Sequence, residues 1–222
     1  MRRLILPAVL LLFGVIVAGC GSPPPLVSDT YLRDLTLINQ QDETCQSPCF
    51  QGITPGETTF ADALARVRAN AAFSNVQSQD NPPQAVWSTQ DGTACCNIAA
   101  DPDTGLVEVI LVRMAPLMTA GDVIDRYGEP DYVLPQDYSP EETVLGLLYP
   151  DRGLVIWVTP GSAASDFVAS SPVVVVLYFN PTTADELIGA ATLQGWAGYQ
   201  PYQVYRDATP VVTPLPTATP AS

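Results

Sequence analysis

Pro172-Val173-Val174-Val175-Val176-Leu177-Tyr178-Phe179 decides the architecture of this chain. From Val173 to Leu177 there is neither the alternation of a half-exposed strand nor the stripe of an amphipathic helix. β-Branched residues fill it, and both faces are apolar, which predicts a central strand covered on both sides. Outward from it lie Leu154–Thr159 and Thr143–Tyr149, two further strand-like runs. Pro150-Asp151-Arg152-Gly153 reads as the hairpin turn between them. Earlier in the chain, Ala85–Thr89 and Ala94–Ile98 read as short strands and Leu106–Met114 as a longer one.

Three helices are expected between these runs, each opened by the same cap. Thr59-x-x-Asp62, Thr119-x-x-Asp122 and Thr183-x-x-Glu186 place a hydroxyl and a carboxylate where the first free backbone N–H groups need acceptors. Phe60, Ala63, Leu64 and Val67 give the first helix its apolar stripe, and Pro55-Gly56 turns the chain into it. The second carries Val123, Ile124 and Tyr127 and stops at Gly128, with Pro130 behind. The third carries Ala184, Leu187, Ile188 and Ala191, with its end expected at Gly195. The order is helix, three strands, helix, three strands, helix. That predicts an α+β fold, an antiparallel sheet with short helices on one face. Thr59 to Thr119, and Trp87 to Trp157, suggest two tandem helix-plus-three-strand units, at 50–114 and 115–180. A β-sandwich with incidental helices is the alternative.

Composition narrows the chemistry. The 222 residues are 47% apolar with a mean hydropathy of +0.16, enough to bury a core. All nine basic residues are Arg, with no Lys or His, against 23 acidic residues and a net charge of −14. Nucleic acid is therefore not an expected partner, since binding it needs cations to replace phosphate counterions. A Ser or Cys nucleophile lacks the usual His or Lys base, which removes triads, Ser-Lys dyads, Schiff bases and His-ligated metals. No phosphate-cradling glycine loop is present.

The two ends differ from the middle. Met1-Arg2-Arg3, then an apolar run from Leu4 to Ala18, make a secretory signal at 1–19, too short for a typical spanning helix. Val17-Ala18-Gly19-Cys20 matches the bacterial lipobox, whose chemistry is diacylation of the Cys20 sulfur and cleavage before it. An ordinary signal peptide or an uncleaved anchor is the competing reading. The mature chain would carry seven Arg against 23 acids, a charge of −16, and should stand off anionic headgroups. Residues 20–44 read as a tether, opening Gly21-Ser22-Pro23-Pro24-Pro25. The folded body is expected at 45–205. The Pro/Thr-rich tail at 206–222 can build neither ladder nor helix and is expected to be disordered, with a glycosylated stalk as the alternative.

Cys45, Cys49, Cys95 and Cys96 remain as disulfide candidates, an even count in an exported chain. Adjacent strand residues point to opposite faces, which disfavours Cys95–Cys96. Cross-links between the 45–49 segment and the 95–96 pair are expected, with a local Cys45–Cys49 bridge as competitor. Four-thiolate zinc has poor spacing here.

Carboxylates offer the remaining chemistry. Asp103-Thr104-Gly105 matches the aspartic-protease triplet, but a strand follows it instead of running into it, so a hairpin turn is expected. Asp101-x-Asp103 hints at a calcium loop whose twelfth position is Val112, not Glu. Asp122/Asp125 and Glu141/Glu142 could act as catalytic pairs, yet Asp122 reads as a cap and Glu141-Glu142 as a solvated turn. No cofactor or metal is expected. Among the aromatics Trp87, Trp157, Trp196, Tyr178 and Tyr199, core packing is the default. Trp196, Tyr199 and Tyr202, in the stretch Trp196–Tyr202, are the candidate binding aromatics, suited to a protein or a glycan.

The capped helix, the Gly128-Glu129-Pro130 stop and the strand meander resemble two groups. One is the small lipoproteins of the outer-membrane β-barrel assembly family; the other is the β-lactamase inhibitory protein family, two such units in tandem. The likeness covers about residues 50–180 and is architectural. Cys45-Gln-Ser-Pro-Cys49-Phe-Gln-Gly-Ile-Thr-Pro-Gly-Glu-Thr-Thr is also similar to the opening of bacterial lipoproteins with Pro/Thr tails. The resemblance implies protein binding by a sheet face or loops, and no catalysis. The expected role is that of a lipid-anchored, non-catalytic binding or assembly module on the outer side of a bacterial membrane. An extracytoplasmic carboxylate enzyme, or a solute or glycan binder, is the alternative.

Overall fold

Val173–Phe179 is buried along its whole length and lies fifth across a nine-stranded sheet, the middle position. The computed structural model describes residues 24–38 and 45–211. In chain order the strands are β1 (Phe73–Asp80), β2 (Pro83–Thr89), β3 (Ala94–Ala100), β4 (Val107–Arg113), β5 (Tyr132–Asp137), β6 (Thr143–Tyr149), β7 (Leu154–Gly161), β8 (Val173–Phe179) and β9 (Gln194–Gly195). Helix α1 (Phe60–Ala69) precedes β1, α2 (Ala120–Tyr127) precedes β5, and α3 (Ala184–Ala190) and α4 (Tyr202–Arg206) follow β8. The fold is α+β. The sheet runs β1-β2-β3-β4-β8-β7-β6-β5-β9, with every strand pairing antiparallel. Four strands, not the expected three, follow each of α1 and α2.

The two meanders meet at β4 and β8, paired from Val109↔Phe179 to Arg113↔Val175. Because side chains alternate across a strand, each meander contributes to both faces. On one face Trp87, Ile98, Ile110, Ile156 and Val176 pack with Phe60, Leu64 and Val67 of α1 and Val123 of α2. On the other, Val109, Val155, Trp157, Val175 and Phe179 pack with Leu26 and with Ala184 of α3. The helices therefore do not share one face: α3 covers the opposite side from α1 and α2. Trp87 and Trp157, expected as equivalents, also point to opposite faces.

The caps explain two helices of the three. Thr59 Oγ1 accepts from the Asp62 N–H at 3.2 Å. Thr119 does the same, and its own N–H donates to Asp122 Oδ2 at 2.9 Å, closing a full capping box. Thr183 makes no such bond. Its hydroxyl donates to the Asn180 carbonyl at 2.9 Å, because a 3-10 turn over Pro181–Thr183 precedes the helix. Helix α3 ends at Ala190, so Gly195 is not its stop but part of β9.

Residues 24–38, expected as part of a tether, are packed instead. Leu26, Tyr31, Leu32 and Leu37 are buried. Leu32 donates its N–H to the Arg113 carbonyl at 3.2 Å and accepts from the Ala115 N–H at 3.0 Å. The Arg113 guanidinium lies 5.7 Å from the Tyr31 ring centre, and Tyr138 donates its hydroxyl to the Pro24 carbonyl at 2.6 Å. Burying each leucine contributes about 1.5–3 kcal/mol.

The disulfides pair Cys45 with Cys49 and Cys95 with Cys96, not the two segments with each other. A β-bulge is the reason. Trp87 pairs with Cys96 and Ser88 with Ala94, so Cys95 is an extra residue on β3. At the bulge the alternation fails, and both sulfurs sink into the α1/α2 side of the core.

Candidate functional site

The second half of the chain builds an aromatic platform beside α2. The capping box starts α2 at Thr119, and Gly128, at φ +84°, stops it after Tyr127. Past α3 the chain returns along β9, which pairs Tyr132 with Gly195 and Val133 with Gln194. This delivers Trp196 next to the loop that follows β7. There Phe167 donates its N–H to the Gln200 carbonyl at 3.1 Å, and Tyr202 donates its N–H to the Ser165 carbonyl at 3.2 Å.

Four rings converge. Phe167 lies 5.9 Å from Trp196 and 5.3 Å from Tyr199; Trp196 lies 6.0 Å from Tyr199 and 6.3 Å from Tyr205, stacked on the last. Offset and edge-on contacts of this kind add to area burial. Tyr199 crowns the group at 41% exposure, while Trp196 is half-buried. The Trp196 indole N–H is enclosed without a hydrogen-bond partner among the described residues.

Tyr202, expected with Trp196 and Tyr199 as a binding aromatic, is buried to 1% exposure and donates its hydroxyl to Asp137 Oδ1 at 3.1 Å. It anchors α4 and presents nothing to solvent. Tyr205 and Phe167 were not legible as members. The spacing of Tyr202 and Tyr205, one turn apart, was the available signal for a short helix docking both rings. The Tyr205 hydroxyl donates to the Gly198 carbonyl and accepts from the Ala197 N–H at 3.1 Å, which shapes the turn below Tyr199.

Carboxylates surround the platform. Burial first, then the negative charge of Asp125, pushes the Tyr199 phenol above its ordinary range. Burial raises Tyr205 as well, opposed by the Ala197 N–H and reinforced by Glu129. Burial dominates at Tyr149 and Tyr202, with Tyr199 and Asp131 adding at the first and Asp137 at the second. Two cations lie on the Tyr127 ring, Arg126 and Arg152 at 5.6 and 5.3 Å from its centre. An exposed aromatic crown within a carboxylate field can hold a cation by its ring face and its charge together.

The other sequence candidates fall elsewhere. Asp101-Pro102-Asp103-Thr104-Gly105 is the β3–β4 turn, with Asp101 Oδ1 accepting from the N–H groups of Asp103 and Thr104 at 2.7 and 2.9 Å. Asp122 is a cap, and Glu141-Glu142 sits in the β5–β6 turn, where Ser139 Oγ accepts from both backbone N–H groups. The four cysteines are oxidised in pairs and offer no thiolate set for zinc. No group of three His, Cys, Asp or Glu side chains is placed to hold a metal among the described residues. Nor, among them, is any helix long and apolar enough to cross a membrane. Cys20, the 1–19 signal and tail residues 212–222 lie outside the described residues. Comparison with protein-family models, with curated proteins and with solved structures finds no match to this chain.

Proposed function

We propose that this protein is an exported, lipid-anchored, non-catalytic binding module whose aromatic platform docks a cationic segment of a partner protein. One observation carries the reading: Tyr199, 41% exposed, rests on Phe167 and Trp196 within the field of Asp125. Aromatic residues seated in a supported cluster are the usual anchors of protein interfaces. The partner's charge follows from complementarity, because a mature chain at −16 repels anions and attracts Arg- or Lys-rich segments. Export and anchoring rest on the lipobox around Cys20, and two disulfides suit an oxidising compartment. The succession of a helix and four strands, twice, supports reading the body as two tandem units of the inhibitory-protein type.

A titration of the full chain with an oligo-lysine peptide, followed by fluorescence, tests the docking surface. Binding should weaken as salt rises. Tyr199→Ala and Asp125→Asn should each weaken it about tenfold while the protein stays folded by circular dichroism at the assay temperature. Equal affinity in Tyr199→Ala sinks the platform. The anchor is tested separately: Cys20→Ser should abolish acylation seen by mass spectrometry and leave the signal uncleaved.

A further inference from the structure

We infer that the cavity beneath the Cys45–Cys49 loop is a binding site for a single uncharged sugar ring. The cavity measures about 320 Å³ and lies on the α1/α2 side of the sheet, and none of the platform's four rings lines it. That volume falls at the small end of ligand pockets, suited to one ring. Thr36, Gln46, Ser47 and Gln51 line its wall, and Tyr127 and Tyr178 also border it. Among the described residues that line it none is acidic or basic, in a chain with 32 acids and arginines.

The distinguishing group is the Tyr178 phenol. Tyr178 is 4% exposed, with its ring 5.5 Å from Phe50. No hydrogen bond reaches its hydroxyl among the described residues. Buried hydroxyls are normally satisfied, so one bordering a cavity marks where a partner enters. Burial, then the negative charge of Asp34, raises this phenol, which keeps it a neutral donor. The rest of the wall is already braced. Tyr127 donates its hydroxyl to the Leu37 carbonyl at 2.6 Å and meets Ser47 Oγ at 3.2 Å. Gln51 donates to Asp34 Oδ2 at 3.0 Å, and its carbonyl accepts from Asn70 at 3.3 Å, which fixes the amide. The Cys45–Cys49 bridge closes the loop, and the Gly52 N–H approaches Cys45 Sγ at 3.3 Å.

The ligand class follows by exclusion. A charged ligand finds no opposite charge among the described lining residues, and desolvating it would be costly. A purely apolar ligand would leave Tyr178 and Gln46 unpaired. A pyranose offers hydroxyls to both and C–H faces to Leu37 and the disulfide.

The test uses the full chain with its tyrosines labelled by 13C at the ring carbon bearing the hydroxyl. The Tyr178 signal is identified by its loss in Tyr178→Phe. The probes are glucose, galactose, mannose and N-acetylglucosamine, with glucuronate and benzene as class controls. At least one neutral sugar should shift the Tyr178 signal saturably, while neither control does. Tyr178→Phe should keep its melting temperature, since no hydrogen bond is lost in the free protein, and weaken sugar binding about tenfold or more. Gln46→Ala at the rim should weaken it too, and serves if the phenylalanine variant misfolds. Tyr199→Ala should leave it unchanged, which separates this site from the docking platform. No shift with any neutral sugar, or an equal shift with glucuronate or benzene, means a water-filled cavity only and overturns the assignment.

Discussion

Cys96 stands opposite Trp87 across β2 and β3, and Cys95, its neighbour, stands opposite no residue. This bulge puts two successive sulfurs on one side of the sheet and joins them. The two disulfides should therefore separate on digestion. Trypsin, cutting at Arg66 and Arg68 without prior reduction, should give one peptide holding Cys45 and Cys49 and another holding Cys95 and Cys96. Each should run two hydrogens lighter than its dithiol form. A cross-linked species joining the two peptides would refute the pairing.

Gly153 holds a left-handed turn, at φ +60°, where a Cβ would fall 2.3 Å from the Phe179 carbonyl oxygen. Gly105 is also left-handed, at φ +71°, but a Cβ there meets nothing within 4 Å. Gly105→Ala should cost about 1 kcal/mol, the conformational penalty alone. Gly153→Ala should cost well above that, more than about 2 kcal/mol, because backbone must also move. Urea unfolding of the two variants side by side measures the difference.

The packed segment before Cys45 makes a further claim. Leu26→Ala and Leu32→Ala should each destabilise the body by about 2–4 kcal/mol, the cost of a leucine removed from a core. Near-neutral values for both would return residues 24–38 to a free tether.

High pH should unfold the protein. Burial raises Tyr149, Tyr178 and Tyr202 above the ordinary tyrosine value of 10.0. In this direction the unfolded chain releases its protons first. The stabilising contribution is full below pH 10.0 and declines as pH rises above it, by up to about 1.4 kcal/mol per pH unit for each tyrosine. A stability curve that stays flat from pH 9 to 12 would contradict this.

The central strands and the first two helices were legible because their signals are local. Val173–Leu177 is apolar throughout, and Thr59 and Thr119 carry their carboxylate partner three residues on. What was missed depends on contacts. Strand β1, Phe-Ser-Asn-Val-Gln-Ser-Gln-Asp, lies at an edge with most of its side chains exposed, so it shows no apolar alternation. Strand β5 contains Pro135, tolerated because β9 pairs only with Tyr132 and Val133 and leaves that edge open beyond them. In the candidate site, Tyr199 and Trp196 were readable as aromatics in an irregular stretch. Phe167 joins them from nearly thirty residues away, and Tyr202 turned inward to reach Asp137, a partner no local spacing announces.

Were Cys20 acylated as proposed, the bond from Tyr138 to the Pro24 carbonyl would limit how far the body can drift from the lipid. Four residue steps of extended chain, at about 3.5 Å each, span about 14 Å. An acyl chain there would tether the body, with the end of its β5–β6 hairpin no farther than about that span from the anchor. A partner arriving at Tyr199 would then find the body kept near the bilayer by a short leash.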